Sequence, residues 1–148
     1  LFGSILVGTD GSDTARKAVG DAVALARQLE ARLLVVSAYE PVSDLRLREE
    51  RRDIPEDLQW VFNQRDDVLA MLEEASQQAR SAGVTEVETF ARQGDAADAI
   101  LDVAEEQRCD LIMVGNRGMT GAKRFLLGSV PNRVSHHAPC SVLIVRTS

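Results

Sequence analysis

Three glycines and a serine, Gly115, Gly118, Gly128 and Ser129, stand at fixed spacing after a short apolar strand signal, Leu111 to Val114. Ser129 opens a helical stretch. Strand, glycine loop and helix start together make a cradle in which backbone N–H groups can hold a phosphate. Glycine suits these points because a side chain would keep an anion away from the main chain or demand a positive φ. Ser129 adds a hydroxyl and suits an N-cap, and Pro131 tolerates the first helical turn because its missing N–H is not needed there. Arg117, Lys123 and Arg124 lie within the loop and can reach outer phosphates. The run Gly121-Ala-Lys123-Arg124 lacks the Gly-Lys-Ser/Thr ending of a Walker loop, and the glycines are too widely spaced for the compact dinucleotide fingerprint.

A second turn, Gly8-Thr9-Asp10-Gly11-Ser12, has the same strand-to-helix character. A carboxylate at Asp10 can accept from ribose hydroxyls or hold Mg²⁺ beside phosphates. Its structural alternative is capping of the first helix, shared with Ser12 and Asp13. Thr9 offers a hydroxyl. Ala38, ending a later strand, leaves room for an adenine ring.

The elements that must position these residues follow from alternating periodicities. Residues 4–8 form a short buried strand, and Ala15, Ala18, Val19, Ala22, Leu25, Ala26 and Leu29 keep helical spacing. Leu33 to Ala38 is apolar throughout, as in a strand covered on both faces. A polar segment from Glu40 to Pro55 reads as a solvated surface stretch, with a flap or an extension of the next helix as alternatives. A long helix carries Leu58, Phe62, Val68, Leu69, Leu72, Ala75, Ala79 and Ala82 and stops at Gly83. Val84 to Ala91 is a strand of weak alternation, suited to an edge. Gly94-Asp95 starts a helix with Ala97, Ile100, Leu101 and Ala104 on one face. Leu111–Val114, a helix over 129–137 and a strand over 141–145 complete the order βαβαβαβαβ. Such alternation predicts an α/β fold: one five-stranded parallel doubly wound sheet, order 3-2-1-4-5, with helices on both faces. In that order strands one and four are neighbours, and the two turns share one crevice. The 148 residues make one domain, 1–148.

Composition narrows the function. Seventeen basic residues against 23 acidic ones leave a net charge of −6, which argues against nucleic acid as partner. No apolar run spans a bilayer and no leader pattern is visible, so the expected location is the cytoplasm, away from membranes. Cys109 and Cys140 read as small buried hydrophobes, not a disulfide framework. His136 and His137 with Cys140 are a weak metal set, since adjacent histidines on a helix diverge. Glu73-Glu74 and Glu105-Glu106 read as exposed helix faces, and Trp60 and Phe62 as packing residues. No metal site is assigned beyond Asp10 holding Mg²⁺ beside phosphates, and no catalytic residue is assigned.

With these motifs in hand, the chain resembles the universal stress protein family. Gly115, Gly118, Gly128 and Ser129 fit its Gly-x2-Gly-x9-Gly-Ser/Thr signature, which the ATP-binding members carry. The turn from Gly8 to Ser12, the run Ser129 to Val134 and the ending Pro139 to Val145 also resemble it. The resemblance implies ATP as cofactor. Thr9 and Asp10, after Gly8, would lie near the adenosine, Ala38 and Val114 would flank the base, and Gly115 and Gly118 would line the sugar–phosphate path. Gly128, Ser129 and Val130 would hold phosphates. Some ATP-binding relatives have proline at the place of Gly8 and a larger apolar residue at that of Ala38. A homodimer through the last strand, Val142 to Val145, is implied as well. The reading is a stress-response regulatory module, not an enzyme. The alternatives are a slow ATPase or adenylate-processing enzyme using Asp10, a cyclic-AMP-binding member, and a structural dimer without ligand.

Overall fold

A computed structural model of the chain describes residues 1–39, 65–116 and 129–147. Strand β1 (Ser4–Gly8) is apolar throughout its centre because both faces are covered: Ile5, Leu6 and Val7 are fully buried. Helix α1 (Asp13–Leu29) begins at Ser12, whose hydroxyl accepts the Ala15 N–H. Its buried stripe is Ala15, Ala18, Val19, Ala22, Val23 and Ala26, small residues that let it lie close to the sheet. The remaining elements are β2 (Arg32–Tyr39), α2 (Arg65–Ser81), β3 (Val87–Gln93), α3 (Ala96–Glu106), β4 (Leu111–Gly115), α4 (Ser129–His137) and β5 (Ser141–Val145).

The sheet is wholly parallel in the order β3-β2-β1-β4-β5, as the alternation predicts. Alternate residues of each strand feed two cores. Ile5, Val7, Leu33, Val35, Leu111 and Met113 pack under α1 and α2. Leu6, Leu34, Val36, Ile112 and Val114 pack under α3 and α4. The one displaced strand is β3, which starts at Val87 instead of Val84. Gly83, at φ +105, turns the chain off α2, and the Val84 N–H donates to the Ala79 carbonyl as part of that helix end. Val84 is buried as a plug in the connection, and its apolar character mimicked the start of the strand. The strand does lie at the edge. Glu40 to Pro55 and the predicted helix start at Leu58, with Trp60 and Phe62, lie outside the described residues. No helix among the described residues is long and apolar enough to cross a membrane.

Candidate functional site

The strand order reverses direction between β1 and β4, and these strands pair with Val7 level with Met113. Gly8 and Val114 are the next residues along, so the turns after both strands leave from one end of the sheet. This is the position at which open α/β sheets hold ligands.

The first turn is built by three short polar side chains. The Thr9 N–H donates to the Val36 carbonyl at 3.0 Å and extends the β1–β2 ladder by one residue. The Thr9 hydroxyl then accepts the Gly11 N–H at 3.2 Å, and the Asp10 carboxylate accepts the Ser12 N–H at 2.9 Å. Such bonds from a side chain to the backbone two residues on make tight turns without a ladder. Gly11 occupies φ +83, the left-handed region that favours glycine. Of the capping residues weighed in the sequence, Ser12 is the cap, and Asp10 shapes the turn that presents it. The hydroxyl of Thr9, accepting from Gly11, retains a hydrogen to donate. Among the described residues no three His, Cys, Asp or Glu side chains converge as metal ligands.

Gly8 has a packing reason for being glycine. A Cβ there would sit 2.6 Å from Ile100 Cδ1 and 3.0 Å from its Cγ1, so α3 presses directly on the end of β1. Gly8→Ala is expected to cost about 1–2 kcal/mol by overpacking. Ile100→Val, which deletes Cδ1, should return part of that loss in urea unfolding of the double variant.

Ala38 is the penultimate residue of β2, half-buried against the α3-side core, and Val114 is buried in the same cluster. Gly115 ends β4 level with Val145. Directly after it, the Asn116 N–H donates to the Val145 carbonyl, while Asn116 Oδ1 accepts both the N–H and the hydroxyl of Thr147 at 2.8 Å. Asn116 thus pins the exit of β4 to the exit of β5, a role missed in the sequence, where its only signal was its place between two motif glycines. Ser129 is the exposed first residue of α4, and Val130 leans on the α3-side core. Arg117, Gly118, Lys123, Arg124 and Gly128 lie outside the described residues.

The electrostatics single out α4. Helices α1, α2 and α3 each carry aspartate in their first turn, Asp13, Asp66 with Asp67, and Asp98, which offsets the positive end of the helix dipole. The first turn of α4 has no acidic residue. Its positive end therefore keeps its attraction for an external anion. A cleft of about 260 Å³ opens on the α1–α2 side of the first turn, sharing Thr9 and Gly11 with it and lined also by Arg16, Met71 and Gln78 among others. It falls below the roughly 300–1,000 Å³ usual for ligand pockets.

The other candidate groups separate. His136 and His137 are both exposed, and the four glutamates at 73, 74, 105 and 106 face solvent, with Glu106 paired to Arg92. Cys109 is buried and Cys140 half-buried; both are free, and burial raises both thiols above their ordinary range.

Comparison with known proteins places these features in context. The model of the universal stress protein family matches residues 2–146. A universal stress protein of Mycobacterium tuberculosis is 36% identical over 148 residues, covering 99% of this chain and 98% of that protein. The universal stress protein YxiE of Bacillus subtilis is 37% identical over 151 residues, covering 99% of this chain and all of that one at 100%. Among solved structures, a universal stress protein in complex with cAMP matches with a TM-score of 0.75 and 33% identity, covering 99% of both chains.

Proposed function

The chain belongs to the universal stress protein family, and we propose that it acts there as an ATP-binding regulatory module of the cytoplasm. One nucleotide-binding domain spans residues 1–148, and two copies associate. The observation that carries this reading is the α4 N-terminus, free of acidic residues in its first turn. The glycine-signature loop leads into that helix from β4, the strand that flanks β1 at the reversal of strand order.

In this reading the Thr9–Asp10 turn meets the ribose, and Gly8 brings the main chain to it. Ala38 and Val114 flank the adenine, and Gly115 and Gly118 line the sugar–phosphate path. Gly128, Ser129 and Val130 hold phosphates through their N–H groups and the Ser129 hydroxyl, and Arg117 neutralises the outer charge. The residues present fit the nucleotide: the strand ends are small at Ala38 and Gly115, and Ser129 opens an uncompensated helix dipole. Magnesium would arrive with the nucleotide and meet Asp10. The chemistry is retention of ATP, not its cleavage. Association uses β5, an edge strand with Leu143 and Ile144 exposed.

Cyclic AMP is the second reading, favoured by the similar solved structure in complex with it. Nucleotide extracted from purified protein, together with thermal unfolding in Mg-ATP, cyclic AMP and GTP, separates the two. A larger rise in Tm with ATP supports the first reading, and a larger rise with cyclic AMP replaces it. Indifference to every adenine nucleotide overturns both. ATP that remains intact over hours in the complex speaks for a binding module, whereas turnover that vanishes in Asp10→Asn would make the protein an ATPase.

A further inference from the structure

Helix α4 is short, nine residues, and only Pro131 and Val134 are buried along it. Pro131 and Val134 form a narrow buried ridge, with Val130 partly buried against the same core, so contacts on the other side of the helix help to fix its roll. Beside that ridge stands Arg133. Its Nη1 donates to Asp95 Oδ2 at 2.9 Å and its Nη2 donates to Asp98 Oδ1. Asp95 is the N-cap of α3: the same Oδ2 accepts the Asp98 N–H at 3.0 Å. The guanidinium therefore grips the first turn of the neighbouring helix at two points, and a planar fork does this with fixed geometry. Immediately before the cap, the Gly94 N–H donates to the Tyr39 carbonyl at 2.8 Å, so the gripped turn is itself tied to the end of β2, one residue beyond Ala38.

Resting on the nucleotide reading above, we infer that Arg133 is a positioning residue for the phosphate end of that site. It acts through Asp95 and Asp98, which hold the roll and axial place of α4 so that the N–H groups at Ser129 and Val130 keep their aim. The ion pairs are half exposed, with 48% of the Arg133 side chain and 52% of each aspartate open to solvent. Water screens them, so their contribution to overall stability is small. Their consequence is angular. A helix turn that shifts by a fraction of an ångström still folds, but it loses hydrogen-bond alignment to a phosphate.

This separates phosphate recognition from base recognition. Titration calorimetry with Mg-ATP and with adenosine, on the full chain, reads the ratio of the two dissociation constants. Arg133→Ala is expected to weaken ATP about fivefold and adenosine less than about twofold, the scale of an exposed but networked pair. Arg133→Lys should restore part of the ATP affinity through one of the two contacts. Asp98→Asn separates positioning from direct attraction: it keeps the arginine and removes a negative charge. If Arg133 served by its charge on the phosphates, Asp98→Asn would tighten ATP. Positioning requires that it weaken ATP, in the same direction as Arg133→Ala and non-additively with it. Equal losses for ATP and adenosine in Arg133→Ala, or tighter ATP in Asp98→Asn, overturn the inference while leaving the nucleotide reading intact. A wild-type chain that binds neither compound overturns both.

Discussion

Gly11→Val is expected to remove about 3 kcal/mol of stability and, on the proposed function, the thermal response to ATP with it. Two costs add. The backbone at φ +83 is open to glycine and strained for a β-branched residue. A Cβ would also fall 2.6 Å from Met71 Sδ, so the side chain of α2 that packs over the turn must move. Displacing the turn breaks the Gly11 N–H to Thr9 bond and the Ser12 N–H to Asp10 bond together, since both belong to the same four residues. Gly11→Asn divides the two costs, because asparagine tolerates the left-handed region yet still meets Met71. It should fall between wild type and Gly11→Val in urea unfolding. A Gly11→Val protein as stable as wild type would show that this turn is not held as described.

Leu34→Ala has an effect of similar or larger size, from a different cause. Leu34 is fully buried in β2, level with Leu6 on β1, and belongs to the core under α3 and α4. Strands on both sides and helices above leave little room for collapse into the vacated space. The loss is expected at about 3–4 kcal/mol, with Tm lower by roughly 6–16 °C in a domain of this size. Leu29→Ala, at an exposed position of α1, is the control and should stay within about 0.5 kcal/mol of wild type. A Leu34→Ala cost no greater than the control's would mean that the α3-side core is loosely packed and relaxes around the deletion.

Much of the fold was legible because its signals are local. Ile5–Val7, Leu33–Val36 and Leu111–Val114 are short apolar runs between turn signals, as strands covered on both faces require, and Ala15 to Ala26 keeps a helical stripe. Where the reading slipped, the cause was also local. Val84 looks like the first residue of a strand, but its N–H is committed to Ala79 at the end of α2. At the candidate site, the first turn was found from glycine and short polar residues, while the division of labour within it was not. Capping by Ser12 and turn formation by Asp10 use the same residue types at adjacent positions, and only the hydrogen bonds distinguish them.

Residue types and their spacing, by themselves, determined the alternation of strands and helices, the parallel sheet, and the tight turn that leads from β1 into α1. Each depends on periodicity or conformational preference within a few residues. The tertiary structure alone decided what each turn is pressed against: Ile100 on Gly8, Met71 on Gly11, Thr147 on Asn116. It alone showed that Arg133 reaches Asp95 and Asp98, 38 and 35 residues earlier in the chain. Contacts of that separation are set by how helices seat on the sheet, and no local pattern of side chains encodes them.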